Sequence, residues 1–216
     1  TARKESYAEN SRKPFVKKAT IHEDLERRDF TINAIAQDLI TGDYIDPFDG
    51  RIDIKRKIIR TPIEPDKTFY DDPLRILRGI RFATKFKFKI DEKTLEGMKK
   101  NKERIKIVSE ERIADEIMKI LECSNPSTGF ELMDEIGLLE IILPEIANLK
   151  EKRTDHPCKE LLPHTLKTLD NISKYTKNVY LRLAALLHDI GKPYTLKVED
   201  GKVSFHRHEF VGEKLT

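Results

Sequence analysis

The decisive stretch of this chain is residues 71–82, Asp71-Asp72-Pro73-Leu74-Arg75-Ile76-Leu77-Arg78-Gly79-Ile80-Arg81-Phe82. Before it, short apolar runs alternate with turn residues, and after it, apolar residues recur at helical spacing. Asp72 is an acceptor suited to a helix start, and Pro73 suits the first helical position. The spacing therefore predicts a helix that carries Arg75, Arg78 and Arg81 along one flank.

The composition is that of a helix-rich protein with a heavily charged surface. Charged residues make up 37% of the 216 residues and hydrophobic ones 38%, and there is no tryptophan. The net charge of +3 says little, because 41 basic residues nearly balance 38 acidic ones. Basic runs at 55–57, 85–89 and 99–106 can follow a phosphate backbone, or can form an ordinary solvated surface.

The sequence has no feature of a secreted or membrane protein. Cys123 and Cys158 have neither metal-site spacing nor a disulfide framework. No apolar run is long enough to span a membrane, and no signal peptide is visible. We therefore expect a cytoplasmic location and no membrane partner. The chain begins at Thr1 without a methionine, and a helical pattern starts at its last residues, so we expect an internal piece of a longer protein.

The local patterns predict an α+β fold that is predominantly helical. In the first segment we predict a capping box at Thr20 and Glu23, followed by a helix that contains residues 24–28. A hairpin at 35–46, a turn at 47–50 and a strand at 58–60 follow. After Ser109 we predict a helix with Ile113, Ile117 and Leu121 as its apolar positions, and then a helix at 130–143 ended by Pro144. A linker at 150–160, helices at 162–175 and 179–190 and a hairpin at 195–205 complete the prediction.

A second charged motif, Arg27-Arg28-Asp29-Phe30-Thr31-Ile32-Asn33-Ala34, lies upstream. Arg28 could bind the phosphate or sugar of a nucleotide, and Asp29 could accept from a ribose hydroxyl. The motif could equally be a helix cap with surface ion pairs. Asp72 and Arg75 leave the same choice open, because residues three apart can simply pair on a helix.

Taken together, these motifs resemble the class II tRNA nucleotidyltransferase and poly(A) polymerase family, which adds CCA or A tails to RNA. The resemblance covers residues 1–7, 27–34, 71–75 and 109–113. It implies the C-terminal part of a nucleotidyltransferase head at 1–62, a helical neck at 63–149 and an HD domain at 150–216.

The resemblance implies that Asp72 and Arg75 form a protein template that reads the incoming base. A carboxylate accepts from an exocyclic amino group, and a guanidinium donates to ring nitrogen or carbonyl acceptors. Adenine and cytosine offer an amino group beside an acceptor, whereas guanine and uracil reverse that pattern. Arg78 and Arg81 would neutralise the triphosphate or support the template. We expect Phe82 to be a core residue.

The same resemblance implies that this chain lacks two of the family's catalytic motifs. The family's Gly-Gly loop and its Asp-x-Asp pair, which hold Mg²⁺ for nucleotidyl transfer, precede the segment around Arg3. Glu5 could assist that metal site, although a structural glutamate is the simpler interpretation. We therefore expect that this chain cannot catalyse transfer alone.

A third motif, His188-Asp189, lies at the end of an apolar helix and resembles an HD domain, a helical phosphohydrolase fold with divalent metals. His164 and His208 match further positions of that pattern, so the resemblance implies a metal site of these four residues. The family's distal aspartate ligand would lie beyond Thr216. A hydrogen-bonded core histidine is the alternative for any one of them.

The sequence thus indicates an RNA nucleotidyltransferase that adds AMP or CMP from ATP or CTP to the 3′ end of tRNA or another RNA. One alternative is an HD phosphohydrolase with an RNA-binding front module. Another is a non-catalytic RNA-binding protein. The sequence does not distinguish CCA addition from A addition, and it gives no oligomeric state.

Overall fold

The computed structural model describes residues 2–7, 14–150, 161–200 and 202–216. Contacts divide the chain into two compact units, Thr1–Ile117 and Met118–Thr216, which we describe separately. The division into head, neck and HD domain stays a prediction. Most of the predicted linker at 150–160 lies outside the described residues.

The first unit combines short helices with three pairs of short strands among its described residues. Its helices are α1 (Ile21–Glu26), α2 (Gly50–Arg56), α3 (Pro65–Asp71), α4 (Leu74–Phe86), α5 (Glu92–Asn101) and the start of α6 (Glu110–Leu121). Its strands are β1 (Arg3–Tyr7), β2 (Pro14–Lys18), β3 (Ala36–Gln37), β4 (Tyr44–Ile45), β5 (Ile58–Ile59) and β6 (Lys89–Ile90). The pairs β1–β2 and β3–β4 are antiparallel, and β5–β6 is parallel.

The start of α1 confirms the predicted capping box. The Thr20 hydroxyl accepts from the Glu23 amide at 3.3 Å, and the Glu23 carboxylate accepts from the Thr20 amide at 3.0 Å. The helix ends at Glu26, so the prediction that it contains residues 24–28 extends too far. The predicted hairpin at 35–46 is confirmed by β3 and β4, in which Ala36 lies opposite Ile45.

Several elements of the first unit were not predicted, and α2 and β6 show why. Helix α2 follows the predicted turn directly, because the Asp46 carboxylate accepts from the backbone amides of Gly50 and Arg51, at 2.7 and 2.9 Å. That capping group lies four residues before the helix, outside the usual sequence signature. Strand β6 is two residues long and pairs with the predicted strand β5, so it has no periodicity to read.

Helix α4 forms the centre of the first unit. The predicted apolar positions Leu74, Leu77 and Ile80 are all buried. The helix starts where predicted, and the Asp72 carboxylate accepts from the Leu74 amide at 3.1 Å. Phe82 differs from its prediction as a core residue, since it is only half-buried on the border of the core.

The second unit contains short helices and one hairpin among its described residues. The helices that follow α6 are α7 (Ser127–Glu135), α8 (Leu139–Ile142), α9 (Pro144–Ala147), α10 (Leu161–Tyr175), α11 (Val179–Leu187), α12 (Lys192–Thr195) and α13 (His208–Leu215). The hairpin consists of β7 (Lys197–Glu199) and β8 (Lys202–Ser204) and confirms the prediction. Helix α10 is confirmed, whereas α11 ends at Leu187, three residues before the predicted end.

Two predictions for the second unit are wrong. The helix predicted at 130–143 is two short helices, α7 and α8, because Gly137 adopts a left-handed conformation (φ 69°) after α7. Pro144 starts α9 rather than only ending a helix, since its fixed φ suits the first helical position. The helical pattern near Thr216 belongs to α13, which begins earlier, at His208.

Arg182 on α11 organises the interior of the second unit. Its side chain is buried, and its guanidinium donates to four backbone carbonyls at the ends of α6 and α10. The acceptors are the carbonyl oxygens of Leu121 at 2.6 Å, Cys123 at 2.9 Å, Thr176 at 2.9 Å and Ser173 at 3.0 Å. A cation is favourable there, because helix C-termini carry partial negative charge. Within the described residues, no helix is long and apolar enough to cross a membrane.

Candidate functional site

Asp29 is the centre of the charged cluster in the first unit. It is buried, and its Oδ1 accepts from the Phe30 amide at 2.9 Å and from the Asn33 side-chain amide at 3.0 Å. Its Oδ2 accepts from Arg78 Nε at 2.8 Å and Nη2 at 2.7 Å. A carboxylate has about four acceptor positions, so the contacts with Phe30, Asn33 and Arg78 use them all.

Arg28 lies at the edge of this cluster, with its side chain 44% exposed. Its Nη2 donates to the buried carboxylate of Asp24 at 2.9 Å. Arg27 donates to the other oxygen of the same carboxylate at 2.6 Å. The ion pair limits how Arg28 moves but leaves much of its guanidinium facing solvent.

Arg75 is buried and is held by backbone carbonyls. Its Nη2 donates to the carbonyl of Arg27 at 2.9 Å, and its Nη1 donates to that of Thr68 at 3.4 Å. Nearby, burial raises the pKa of Asp71, and the Arg75, Lys67 and Arg104 cations act against that rise. Arg75 therefore fastens α4 to the segment that carries Arg28 and Asp29.

Arg81 points to a different partner. Its Nε donates at 2.6 Å to Glu116 on α6, and the Glu116 side chain is only 4% exposed. Glu116 was missed by the sequence reasoning, which in this part of the chain considered the motif at 109–113 and the apolar positions of the helix. A signal was present, because Glu116 lies beside the apolar positions of an amphipathic helix, where a carboxylate needs a partner.

The structure thus brings together part of the predicted nucleotide-binding set. Arg78 bonds to Asp29, and Arg75 bonds to the backbone one residue before Arg28. Arg81 bonds instead to Glu116 on α6. Asp72 accepts from the Leu74 amide at the start of α4. Glu5 lies on β1 opposite Val16, and its side chain is outside the described part of the chain.

The second cluster surrounds Asp189, a residue that is 1% exposed. Its Oδ2 lies 3.2 Å from His188 Nε2, 3.8 Å from His164 Nε2 and 2.7 Å from Lys192 Nζ. Its Oδ1 lies 3.8 Å from His208 Nε2. All four predicted metal-site residues are therefore close to one another, and Lys192 is an additional member that the sequence reasoning did not single out.

The charges in this cluster are strongly coupled. Burial tends to raise the pKa of Asp189, but hydrogen bonds from His188 and Lys192 outweigh it and lower that pKa to about 2. The hydrogen bond to Asp189 likewise raises the pKa of His188, against the effect of burial. The carboxylate is ionised at neutral pH, which is the form that a cation requires.

The donor set fits a divalent metal ion. Candidate ligand atoms of His164, His188 and Asp189 lie within 4.8 Å of one another. The Nδ1 atoms of His188 and His208 face backbone carbonyls, at 2.7 and 2.9 Å. That arrangement leaves each Nε2 directed at Asp189, as is usual for metal-binding histidines.

Comparison with known protein families accounts for most of the chain. Residues 1–60 match the poly(A) polymerase head domain, residues 87–150 match the probable RNA and SrmB-binding site of polymerase A, and residues 161–216 match the HD domain. These matches follow one another in the order that the three motifs predicted. Over most of its length the chain is therefore similar to the tRNA nucleotidyltransferase and poly(A) polymerase family. The resemblance stated from the sequence is confirmed.

Individual CCA-adding proteins are similar to the chain in sequence and in structure. The chain is 40% identical over 202 residues to the multifunctional CCA protein of Neisseria meningitidis, which covers 91% of this chain and 47% of that protein. The CCA-adding enzyme of Bacillus stearothermophilus, solved in complex with CTP, is similar at 31% identity and a TM-score of 0.58, over 79% of this chain and 44% of that one. The Thermotoga maritima CCA-adding enzyme, solved with tRNA, is similar at 32% identity and a TM-score of 0.62. The similarity covers 77% of this chain and 41% of that one.

The predominantly helical α+β fold is confirmed, because it is the fold of solved CCA-adding enzymes. The chain spans about half the length of the curated relatives that it matches.

Proposed function

We propose that the whole protein is an RNA nucleotidyltransferase that adds AMP or CMP to an RNA 3′ end, on tRNA or another RNA. The 3′ oxygen forms a bond to the α-phosphorus of ATP or CTP, pyrophosphate leaves, and the hydroxyl proton is released. The observation that carries the proposal is the bond between Arg78 and Asp29, which joins the two nucleotide motifs. The CTP and tRNA complexes of similar enzymes support it.

We propose that Asp72 and Arg75 select the base. Arg75 has five N–H donors in a fixed plane, and the Arg27 and Thr68 carbonyls hold that plane in place. Asp72, at the start of α4, supplies the acceptor for the amino group of adenine or cytosine. Selection of A and C against G and U then follows from the donor and acceptor pattern of each base.

The remaining charged residues take different roles in this proposal. Arg28 and Arg78, both partly exposed, bind the phosphates or the sugar. Asp29 has no acceptor position left for a ribose hydroxyl, so it acts by positioning Arg78. Arg81, bonded to Glu116, supports the helix that carries the template.

Two metal functions belong to the proposal. Mg²⁺ is the ion we propose for nucleotidyl transfer, where it neutralises the triphosphate. None of the described residues is assigned to it. A divalent ion in the HD domain would be held by His164, His188, Asp189 and His208. The proposed cytoplasmic location stays a prediction.

The template assignment is tested by Asp72→Asn. The amide retains an oxygen that can accept from the Leu74 amide, so the start of α4 is kept. It loses the negative acceptor that the base requires. We expect the Kd of ATP and of CTP to rise about 5- to 100-fold, measured by calorimetric titration of the complete protein.

Asp38→Asn is the matched control for this experiment. Asp38 also accepts from a backbone amide two residues on, that of Ile40 at 2.8 Å, but lies in the β3–β4 turn. We expect its Kd values for ATP and CTP to equal those of the wild type. Unchanged nucleotide binding in Asp72→Asn would remove Asp72 from the template. Arg75→Ala is a poorer test, because it also breaks two bonds to the backbone.

A second activity, metal-dependent phosphohydrolysis, is favoured by the Asp189 cluster. Ligand atoms of two histidines and a buried carboxylate lie close enough together to coordinate a single ion. A bound divalent ion would supply an activated water for attack on a phosphate ester. The test is hydrolysis of a phosphodiester by the wild type and by His188→Ala. Loss of hydrolysis in the variant, with its nucleotide-adding activity intact, would establish phosphohydrolysis as a second activity.

The contact between Gly191 and α13 gives a separate test of the metal site. A Cβ at Gly191 would lie 2.0 Å from the His208 carbonyl oxygen and 2.7 Å from the Gly212 nitrogen. Gly191→Ala must therefore move α13, and His208 with it, away from Asp189. We expect affinity for Mn²⁺ to fall about 10-fold, measured by calorimetry.

Gly212→Ala is the control on the other side of that contact. Its Cβ would meet its nearest neighbours at 3.7 Å, an ordinary packing distance, so we expect unchanged Mn²⁺ affinity. Equal affinities in the two alanine variants would show that His208 does not take part in binding the ion.

A further inference from the structure

The end of α4 presents an unusual alternation of cations and aromatic rings, Lys85-Phe86-Lys87-Phe88-Lys89. Lys85, Lys87 and Lys89 are all exposed, and none of them forms an ion pair within the described part of the chain. Phe86, between the first two lysines, is 44% exposed. An exposed ring among exposed cations is the combination with which proteins hold ligands that have both a flat face and negative charge.

The rings form a continuous row with the nucleotide cluster. Phe82 and Phe86 are stacked, with an interplanar angle of 12° and centroids 5.9 Å apart. Phe88 lies 5.7 Å beyond Phe86. At the other end, Arg78 lies 5.6 Å from the Phe82 centroid while it bonds to Asp29. The row therefore runs along the surface from the proposed nucleotide site.

The local backbone fixes the last part of this surface. Lys87 ends α4 in a left-handed conformation (φ 57°), which turns the chain from the helix into β6. The amide of Lys89 then donates to the carbonyl of Lys57 at 2.9 Å, and β6 pairs with β5. Lys85 on α4 and Lys89 on β6 thereby lie on separate elements, with Lys85 Nζ 5.7 Å from the Phe86 ring centroid.

We propose that Phe86, with Lys85, Lys87 and Lys89, is a contact surface for the single-stranded 3′ end of the RNA. This inference rests on the proposed function, since that reaction needs an unpaired RNA end beside the nucleotide. Aromatic rings stack on any base, and lysines beside them bind the backbone phosphates, so such surfaces bind single strands with little sequence preference. The occupant is RNA rather than a protein, because the exposed charges are all positive and the row adjoins the nucleotide cluster.

The test compares two labelled RNA hairpins, one with a short unpaired 3′ end and one with a blunt end, both titrated into the complete protein. Phe86→Leu keeps an apolar side chain against Phe82 but removes the ring. We expect its affinity for the tailed RNA to fall about 5- to 100-fold, with no change for the blunt RNA. Phe210→Leu, which replaces a 59% exposed phenylalanine of the second unit, should change neither affinity.

A second measurement addresses the lysines. Replacing Lys85, Lys87 and Lys89 together by glutamine should reduce the salt dependence of tailed-RNA binding, by a slope of about 0.7 for each phosphate that the protein no longer neutralises. Melting temperatures of all variants should match the wild type, because the exchanged side chains are exposed.

The outcomes separate this inference from the proposed function. ATP and CTP affinities should be unchanged in Phe86→Leu, because the ring does not contact the nucleotide. Tailed-RNA affinity that is equal in wild type and Phe86→Leu would overturn the inference and leave the surface to a protein partner, as would an equal loss for the blunt RNA. A wild-type protein that binds tailed RNA through Phe86 but binds neither ATP nor CTP would refute the proposed function alone.

Discussion

Asp189→Asn is expected to weaken Mn²⁺ binding by at least about 100-fold. Loss of a group that only supports a metal ligand commonly costs 10- to 100-fold, and Asp189 is itself the central ligand of the proposed site. Its carboxylate faces His164 and His188 with one oxygen and His208 with the other. Among the described residues, it is the only carboxylate in the group that could hold the ion.

The exchange is conservative for the fold. An asparagine oxygen can still accept from Lys192 Nζ, which lies 2.7 Å from Asp189, so the buried contact is retained. The matched control is Asp200→Asn in the β7–β8 turn, where the same exchange removes an exposed carboxylate. Calorimetric titration with Mn²⁺ should show wild-type affinity for the control. Comparable Mn²⁺ affinity in Asp189→Asn and wild type would rule out the site.

Arg182→Met is expected to lower the free energy of unfolding of the second unit by about 3–4 kcal/mol. Each of its four hydrogen bonds contributes roughly 1 kcal/mol net. Methionine fills part of the same volume but donates nothing to the carbonyls at the ends of α6 and α10. The stability of Arg182→Lys should lie between those of the wild type and Arg182→Met, because an ammonium has three donors and lacks the planar fork of a guanidinium.

Urea unfolding of the complete protein, followed by a probe in the second unit, measures this loss. Lys167→Met on α10 is the control, since it also replaces a cation by methionine but at an exposed position. We expect it to change stability by less than about 0.5 kcal/mol. A similar effect of the two substitutions would mean that the carbonyls find water or other donors once the guanidinium is gone.

The elements that were predicted correctly carry their signals within a few residues. The capping box at Thr20 and Glu23, the apolar positions of α4 and the hairpin at 195–205 are local patterns. Strand β6 depends on pairing with β5, some thirty residues earlier, and two residues have no readable period. The break after α7 depends on the left-handed conformation of Gly137. A single glycine within a helical pattern does not predict that conformation.

The candidate site shows the same division between local and distant information. Equal spacing made Arg75, Arg78 and Arg81 look equivalent in the sequence. Their partners distinguish them, because these lie far along the chain: the Arg27 carbonyl, Asp29 and Glu116. The residue types could therefore be predicted from the motifs, whereas the separate contact of each arginine required the folded structure.

The full use of the Asp29 carboxylate has a consequence for how a nucleotide would bind. Phe30 and Asn33 orient the carboxylate, and the carboxylate orients Arg78, before any ligand is present. Immobilising a long side chain on binding usually costs about 0.5–1.5 kcal/mol, and here that cost is met during folding. The proposed site is thus preorganised, and Asn33 would tune the affinity for a triphosphate without touching it.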